Sequence, residues 1–380
     1  MRPDTLLVHA GEPRPRESGA VAMPIYQSST FEEREARGYH DIRYARLSNT
    51  PSHEALHGKL AALEQAEAAL ATASGMAAVS ATLLSLLRAG DHVLAQEGLY
   101  GGTHDLMKHD LPRLGISVTF VPGDDPAAWR GATNPRTRVF YLESITNPLL
   151  RIADLRAAAA FARERNLISV VDNTFATPLA FHPLRQGFDL VLHSATKYLN
   201  GHNDLIAGAV MGSSARVREV KRTLDHLGGS LDPHACFLLQ RGLKTLGVRY
   251  RQQCATALSV ARFLAQHPSV LRVNHPGLES HPQHARAREL FAWFGAMLSF
   301  EPKGGAEAAE RLFTRLKIPL HAPSLGGTES LVTRPAASSH AGLSPQERAS
   351  LGISDGLIRV SIGLESVEDL IEDFDRALRE

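Results

Sequence analysis

Short apolar runs alternate with helical patterns through the middle of the chain, and this alternation restricts the fold more than any other feature of the sequence. The runs occupy residues 91–96, 117–121, 138–142, 167–171, 190–192 and 206–211. The clearest helical pattern between them is 154–165, with Asp154 as its N-cap and basic residues in its last turn. Strands that alternate with helices form a mainly parallel sheet with helices on both faces. We therefore predict an α/β fold of this kind.

The chain is expected to divide into an arm and two domains, since 380 residues are many for one hydrophobic core. Residues 1–50 are rich in Pro, Arg, Ser and Gly and show no sustained period, which predicts an extended N-terminal arm that needs a surface to lie on, such as a partner subunit. Residues 51–245 contain the alternating units and form the predicted large domain. Helical patterns fill residues 214–266, and residues 246–380 mix helices with strands as a smaller α+β domain.

The composition excludes several classes of protein. The 41 basic and 40 acidic side chains nearly cancel, and no basic run or acidic tail is present, so nucleic acid is not an expected partner. No apolar stretch is long enough to span a membrane, and the N-terminus lacks the apolar core of a signal peptide. Two cysteines, Cys236 and Cys254, are too few for a disulfide framework and fit a reducing compartment. We expect a cytoplasmic protein without a membrane partner.

One formal motif, H-E-x-x-H at His53 to His57, suggests a zinc hydrolase. It lies in a predicted helix that starts at Ser52, because apolar residues recur at helical spacing from Leu56 to residue 66 or 69. A zinc site needs a third protein ligand, and the glycine and histidine that metzincins place after this motif are missing. We therefore interpret the motif as a charged helix start and predict no metal. Motifs for nucleotide phosphates, dinucleotides and serine hydrolases are missing as well.

Polar side chains follow three of the predicted strands. Glu143 and Asn147 follow one run, Asp172 and Thr174 follow the next, and residues 194–197 (Ser-Ala-Thr-Lys) follow a third. In a doubly wound fold the ligand site lies beyond the carboxyl ends of the parallel strands. These side chains are therefore the candidate active site.

Lys197 and Asp172 suggest a specific chemistry. A lysine after the buried run 189–193 is either a surface residue that begins a loop, or an amine in a dry pocket whose lowered pKa lets it form a Schiff base. A carboxylate at a buried strand end is costly unless it is paired with a cation. Asp172 is either an N-cap or part of a salt bridge, or it pairs with the pyridinium nitrogen of a pyridoxal cofactor. Both residues together, each after its own predicted parallel strand, favour pyridoxal phosphate.

Eight short motifs together make the chain resemble the Cys/Met-metabolism family of pyridoxal-phosphate enzymes, the transsulfuration group of cystathionine γ-synthases, γ-lyases and β-lyases. The resemblance runs from about Thr5 to the C-terminus. Its motifs are Y-x-R at 44–46, S-G-M at 74–76, Y-G-G-T at 100–103, E-S-x-T-N-P at 143–148, V-V-D-N-T at 170–174, S-A-T-K-Y at 194–198, S-L-G-G-x-E-S at 324–330 and L-I-R-V-S-I-G at 357–363. It implies fold type I, similar to aspartate aminotransferase, with a smaller α+β C-terminal domain.

The resemblance also implies roles around the cofactor ring. Lys197 would hold pyridoxal 5'-phosphate as a Schiff base and later move protons between substrate carbons. Asp172 would pair with the pyridine nitrogen, and Thr174 would be a further cofactor-binding residue. Tyr100 would stack on the ring and is a candidate base for the incoming amine, while Asn147 would form a hydrogen bond with the ring hydroxyl.

The ends of the cofactor and substrate have implied partners as well. Phosphate would be held by the four residues Gly75, Met76, Ser194 and Thr196, the first two through their backbone amides. Tyr44 and Arg46 would reach the cofactor phosphate of a neighbouring subunit, which implies an obligate dimer and, in this family, typically a tetramer. Ser324 and Arg359 would bind the substrate α-carboxylate, with Arg359 as a bidentate fork.

Several departures from the family pattern bear on the substrate. Pro323 and the G-H-N-D stretch at 201–204 are similar to plant-type γ-synthases. Asp105 stands where many γ-lyases and γ-synthases have an arginine, and it could attract a distal amine as in some β-lyases. His53 or Ser52 would replace another basic contact. Gly102 stands where methionine γ-lyases place a cysteine, which argues against that activity.

The expected function is therefore chemistry at Cγ of cystathionine or of an activated homoserine, by a cystathionine γ-synthase or γ-lyase. Cystathionine β-lyase, another C–S lyase and homoserine sulfhydrylase remain alternatives within the family. A different class also remains open, a non-catalytic α/β binding protein in which Lys197 is unmodified.

Overall fold

A computed structural model describes residues 1–32, 38, 39, 42–339, 341, 342 and 344–379. The chain forms two compact units. The first consists of Met1–Glu97, Gly102–Ser144 and Asp154–Gly247, and the second of Gly98–Gly101, Ile145–Ala153 and Val248–Glu380. The division into a 1–50 arm, a 51–245 domain and a 246–380 domain stays a prediction. The second unit also contains two short segments from the 51–245 range, Gly98–Gly101 and Ile145–Ala153.

Seven strands of the first unit's described residues form one sheet in the order β1-β7-β6-β5-β4-β2-β3. They are β1 Ala68–Thr72, β2 His92–Gln96, β3 Ser117–Val121, β4 Thr137–Glu143, β5 Ile168–Asp172, β6 Leu190–His193 and β7 Gly208–Gly212. The five strands from β6 to β3 pair in parallel, whereas β7 runs antiparallel to both of its neighbours. The predicted α/β fold with a mainly parallel sheet is confirmed.

Helices of the first unit connect and cover these strands. They are α1 Pro3–His9, α2 Pro51–Glu64, α3 Gly75–Leu86, α4 Gly101–Asp105, α5 Leu111–Arg113, α6 Pro126–Ala132, α7 Leu155–Glu164, α8 Thr177–Ala180, α9 Pro183–Gln186, α10 Ser214–Leu227 and α11 Pro233–Leu243, and α12 Leu246–Gln266 begins at the end of the unit. A π-helical turn, Leu106–Asp110, joins α4 to α5. Asp154 caps α7 as predicted, because its side chain accepts a hydrogen bond of 3.1 Å from Ala157 N.

Large aromatic side chains fill the space between the sheet and two of these helices. Trp129 of α6 lies 5.3 Å from Phe140 of β4 and 5.7 Å from Phe161 of α7, measured between ring centroids. The indole Nε1 of Trp129 donates to Pro122 O at 2.6 Å. Its polar atom is therefore satisfied, and the indole is completely buried.

The helix predicted from Ser52 is shorter than expected. It ends at Glu64, and Gln65 has a left-handed φ of +58°. Ala69 then lies in β1, which pairs with β7 through the register Ala69↔Met211. The alanine-rich sequence has helical propensity, but the backbone of 68–72 is needed to complete the sheet beside β7, and this tertiary pairing overrides the propensity.

The helical pattern predicted for 214–266 is confirmed as three helices, α10 to α12. The breaks between them have local causes. Gly228 ends α10 with a φ of +74°, and Asp232 caps α11 by accepting a hydrogen bond of 2.8 Å from His234 N. Cys236 of α11 and Cys254 of α12 are both buried and free. None of the helices described by the structure is long and apolar enough to cross a membrane.

The beginning of the N-terminal arm lies on the chain's own helix α2. Lys59 of α2 is buried, and its Nζ donates to Leu7 O at 2.8 Å. The buried carboxylate of Glu12 is paired with Lys244 at 2.8 Å and Arg16 at 2.6 Å. Burial lowers the pKa of Lys59 to about 8, against the raising effect of Glu12. Residues 33–37, 40 and 41 of the predicted arm lie outside the described residues.

The described residues of the second unit form a five-stranded sheet in the order β10-β11-β12-β9-β8. Its strands are β8 Val270–Asn274, β9 Met297–Pro302, β10 Leu320–His321, β11 Leu331–Thr333 and β12 Ile358–Ser361. Its helices are the remainder of α12, α13 His284–Leu290, α14 Gly305–Arg315, α15 Pro345–Leu351 and α16 Val367–Arg379. Phe300 of β9 packs edge-on against Phe374 of α16, with 5.9 Å between ring centroids. This is the expected α+β arrangement.

Gly208 is predicted to be essential for the approach of β7 to β1. A Cβ at this position would lie 2.2 Å from Ser74 O and 2.4 Å from Thr72 Oγ1. We expect Gly208→Ala to destabilise the protein by about 1–3 kcal/mol, because neither atom can move without disturbing the start of α3. Gly131→Ala is the matched control, since Gly131 lies in α6 with no neighbour within 4 Å of the added Cβ. Equal apparent melting temperatures for the two variants would contradict this prediction.

Candidate active site

The parallel pairing of β5 with β6 brings together the two strand ends that carry the main candidate site residues. Asp172, the last residue of β5, is in register with Leu192, and Asn173 N donates to Leu192 O at 2.9 Å. Residues 194–197 follow β6 directly. The sequence-based expectation that Asp172 and the Ser194–Lys197 segment lie at neighbouring strand ends is therefore met.

Asp172 is a partly buried carboxyl with an unusual environment. Its Oδ1 accepts two hydrogen bonds from Thr174, at 2.9 Å from the backbone N and 2.5 Å from Oγ1. Within the described part of the chain, Oδ2 has no donor. Burial raises the pKa of Asp172 above its usual value, although the Thr174 bonds and the nearby His193 ring lower it. A cation placed at Oδ2 would offset the cost of this charge.

Thr174 connects the two strand ends. Its hydroxyl donates to Asp172 and accepts a hydrogen bond of 2.8 Å from Ser194 N. Because a hydroxyl can donate once and accept twice, one side chain fixes both residues. Thr174 therefore holds the carboxyl group of Asp172 at a fixed place relative to the loop that carries Lys197.

A cradle for an anion lies where α3 begins. Ser74 caps the helix by accepting a hydrogen bond of 3.0 Å from Ala77 N, so the amides of Gly75 and Met76 belong to the first turn, which has no partners within the helix. A Cβ on Gly75 would lie 2.9 Å from both Cβ and Oγ of Ser194. The bare glycine thus brings these amides beside the Ser194 hydroxyl, which makes no hydrogen bond within the described residues.

Lys197 is half-buried and lies in a tight turn after β6. Its backbone N donates to Ser194 O at 3.1 Å, and its carbonyl accepts from Gly201 N at 2.8 Å. The same unit thus contains a lysine, a carboxyl that needs a cation and a cradle of donors suited to phosphate. These three features fit the aldehyde, pyridine nitrogen and phosphate of pyridoxal phosphate.

Thr196 is oriented differently from the expectation. Its Oγ1 donates to Ala207 O at 3.1 Å and accepts from Ala207 N at 3.0 Å. A hydroxyl has only one proton, so Thr196 cannot donate to a phosphate while it keeps this bond. Its predicted role in phosphate binding would require the hydroxyl to rotate, whereas Ser194 needs no such change.

Tyr44 directly precedes a short 3₁₀ turn, Ala45–Leu47, and Arg46 is the middle residue of that turn. Arg46 Nη1 donates to Asp225 O at 2.7 Å, and Nη2 donates to the hydroxyl of Tyr39. The guanidinium also lies over the Tyr44 ring, 5.6 Å from its centroid. Tyr44 is exposed in the single chain. The predicted contact with a neighbouring subunit's phosphate stays a prediction.

The second unit contains the residues expected at the substrate carboxylate. Arg359 of β12 is buried, and its Nη1 donates to Asn147 Oδ1 at 3.2 Å while Nη2 donates to Ser324 O at 2.9 Å. Ser324 has a φ of +88°, which a residue with a side chain rarely adopts. Three predicted site residues from distant parts of the sequence are thus joined by two hydrogen bonds.

The remaining predicted contacts lie near the surface. Tyr100 precedes α4 and is 48% exposed. Asp105, the last residue of α4, and Pro323 are also exposed. Their roles toward the distal end of a substrate remain predictions.

His53 and Ser52 do not replace a basic substrate contact, contrary to the expectation. The two ring nitrogens of His53 are within hydrogen-bond distance of Thr50 Oγ1 at 2.8 Å and Leu231 O at 2.7 Å, and the ring is buried. Burial lowers its pKa, which disfavours the charged form. The Ser52 hydroxyl accepts from Tyr26 N at 3.1 Å. The H-E-x-x-H motif at His53–His57 lies in the first turns of α2, which begins at Pro51.

A buried cluster beneath the strand ends escaped the sequence-based prediction. Glu64, the last residue of α2, accepts hydrogen bonds from His193 and Asn173. The sequence does place Glu64 four positions after Leu60, on the apolar face of the helix, which could have indicated a buried carboxylate. Its partners come from two other elements and could not be inferred from spacing.

Three relatives of known name are similar to this chain over nearly its whole length. L-methionine gamma-lyase of Fusobacterium nucleatum subsp. polymorphum is 44% identical over 98% of this chain and 97% of the relative. Cystathionine beta-lyase of Coxiella burnetii is 42% identical over 99% and 97%, respectively. Cystathionine gamma-lyase of Bacillus subtilis is 42% identical over 100% and 99%. The reactions given by these names differ in substrate and in the carbon that reacts.

The crystal structure of metB from Corynebacterium glutamicum has the same fold. It matches this chain with a TM-score of 0.93 and 36% sequence identity, over 100% of this chain and 98% of that one. The sequence profile of the family described as "Cys/Met metabolism PLP-dependent enzyme" matches residues 4–379. With relatives above 40% identity over their full length, the chain belongs to the Cys/Met-metabolism family of pyridoxal-phosphate-dependent enzymes.

Proposed function

We propose that this enzyme acts at Cγ of cystathionine or of an activated homoserine, as a γ-lyase or γ-synthase. The observation that supports the pyridoxal-phosphate chemistry is the group formed by Asp172, Thr174 and Ser194 at two adjacent parallel strand ends, with Lys197 in the following turn. The names of two relatives, a methionine and a cystathionine gamma-lyase, support reaction at Cγ. The beta-lyase name and the acidic Asp105 favour Cβ as the alternative.

The residues of the first unit would divide the chemistry between them. Pyridoxal phosphate, when bound, supplies an aldehyde for an amine and a ring that accepts electrons from a substrate carbanion. Lys197 Nζ would bind that aldehyde, take the proton from substrate Cα once the substrate amine has replaced it, and return protons at later steps. Asp172 would keep the pyridine nitrogen protonated. Thr174 would hold Asp172 in place, and Ser194 with the Gly75 and Met76 amides would bind phosphate.

Arg359 would bind the substrate α-carboxylate as a bidentate fork. Its guanidinium is already oriented by Asn147 Oδ1 and Ser324 O. An arginine fixed in this way loses little side-chain entropy when the carboxylate binds. Tyr100 would stack on the cofactor ring and accept a proton from the incoming amine.

The reaction at Cγ needs two proton removals before the γ-substituent leaves, one at Cα and one at Cβ. Lys197 is the proposed base for both, because a flexible side chain can reach adjacent carbons, and its amine must pass on the Cα proton before it takes the Cβ proton. Addition of a thiol would complete a γ-synthase reaction, and hydrolysis to 2-oxobutanoate and ammonia would complete a γ-lyase reaction. The distal contacts, Asp105 and Pro323, would decide which substrate is accepted.

Replacing the proposed catalytic lysine tests the assignment directly. We expect Lys197→Ala to abolish the visible absorbance of the lysine-bound cofactor and to lower kcat by about 10²–10⁴-fold or more, because both the covalent link and the base are lost. Lys303→Ala is the control, since Lys303 is exposed in the second unit. Full turnover by Lys197→Ala would show that this residue is not the base.

Asp172→Asn separates cofactor chemistry from folding. Because burial raises the pKa of Asp172, ionisation opposes folding, and the cofactor-free protein loses stability as the pH rises from the usual aspartate value through the raised one. The asparagine carbonyl can still accept both Thr174 bonds. We therefore expect the cofactor-free variant to melt no lower than wild type at pH 7, while kcat falls by about 10²-fold or more. A wild-type kcat would refute pairing with the pyridine nitrogen.

Product analysis identifies the reacting carbon. L-Cystathionine alone should yield 2-oxobutanoate and cysteine if Cγ reacts, and pyruvate and homocysteine if Cβ reacts. An activated homoserine ester with cysteine should yield cystathionine if the enzyme is a synthase. L-Methionine is a separate arm, and 2-oxobutanoate from methionine would indicate a methionine γ-lyase despite Gly102. Pyruvate as the main product from cystathionine would reject the proposed reaction at Cγ.

A further inference from the structure

Glu64 is a completely buried carboxylate with no assigned part in the chemistry. It is the last residue of α2, and its Oε1 accepts from His193 Nε2 at 2.6 Å and from Asn173 Nδ2 at 3.2 Å. Oε2 lies 3.8 Å from His182 Nδ1, beyond hydrogen-bond distance. A buried charge is retained at this position although desolvation makes it costly.

The cluster compensates for the charge of Glu64. Burial alone raises the pKa of a glutamate, but the interactions with His182, His193 and Asn173 outweigh it, and the pKa of Glu64 lies below its usual value. Glu64 is therefore ionised at neutral pH. Asn173 is itself fixed, because its Nδ2 also donates to Phe181 O at 3.0 Å.

The two partners of Glu64 are the sequence neighbours of proposed site residues. Asn173 directly follows Asp172, and His193 directly precedes Ser194. Consecutive side chains of an extended chain point to opposite sides. Glu64 thus ties the ends of β5 and β6 together through side chains that alternate with those of the site.

We propose that Glu64 is a positioning residue, a clamp that sets the spacing between the ends of β5 and β6 and thereby the placement of Asp172 relative to the Lys197 turn. Thr174 links the same two ends through Asp172 Oδ1 and Ser194 N. Two independent links prevent the strand ends from separating or twisting. The inference rests on the roles proposed above for Asp172 and Lys197.

Four variants test the clamp through cofactor retention rather than activity. Glu64→Gln keeps a hydrogen-bond acceptor at the contact, and His193→Gln keeps a donor. Glu64→Met and His193→Met remove the acceptor and the donor, respectively, with little loss of side-chain volume. We expect both methionine variants to release pyridoxal phosphate about tenfold faster than wild type and to shift the visible band of the bound cofactor, because a small displacement of a site residue weakens every contact made there. Both glutamine variants should release the cofactor at close to the wild-type rate, because each keeps the hydrogen bond between the two side chains.

Glu12→Met is the matched control, because Glu12 is another buried carboxylate of the same unit and pairs with Lys244 and Arg16 rather than with β5 or β6. We expect it to lower the melting temperature without changing the rate of cofactor release or the spectrum. The clamp is rejected if Glu64→Met lowers the melting temperature but releases cofactor at the wild-type rate, as Glu12→Met does. If Glu64→Met does not fold, His193→Met decides by the same criteria.

The clamp and the proposed function can be refuted independently of each other. Cofactor release is measured without any amino-acid substrate, so it does not depend on which carbon reacts. If Lys197→Ala retained the cofactor absorbance, the assignment of the site would be wrong whatever the Glu64 variants showed. If only the clamp were wrong, Lys197→Ala would still lose the absorbance, and Glu64→Met would behave like the Glu12 control.

Discussion

The parallel pairing of β5 with β6 is the constraint on which the rest of the site depends. Strands buried on both faces can place polar groups only where they end, and a parallel pair ends on the same edge of the sheet. Asp172 and the turn that begins at Ser194 meet at that edge because Asp172 is in register with Leu192. A slip of one residue in this pairing would turn Asp172 toward the opposite face, so the register of two strands fixes the chemistry.

Holding charged groups at such an edge has a cost in stability. Asp172 carries a raised pKa, and the Thr174 bonds compensate for only part of its burial. Glu64 is deeper still, yet its partners more than compensate for the desolvation. Asp172 is thus left in need of a cation, whereas the neighbouring side chains keep Glu64 charged, although its Oε2 accepts no hydrogen bond from the described residues. This difference separates a group prepared for a ligand from one that serves the architecture.

Much of the site follows from local patterns. The short apolar runs predict β5 and β6, so the sequence alone places Asp172 and Lys197 after neighbouring strands. Asp154 is recognisable as a cap from its position before α7. Features that depend on distant partners could not be predicted. Strand β1 is alanine-rich and becomes extended only because β7 needs a neighbour, and His53 looks available until Leu231 is seen at its ring nitrogen. The backbone of Ser324 likewise gives no sign in the sequence.

The two buried cysteines have a practical meaning for an enzyme of sulfur metabolism. Burial raises the pKa of Cys236, and it raises the pKa of Cys254 to about 12. Only thiolates react readily with disulfides and alkylating agents, so both side chains are inert at neutral pH while the helices around them are intact. A colorimetric thiol reagent can therefore be added to a running reaction and will report only small-molecule thiols. Colour that develops without substrate would measure the opening of α11 or α12.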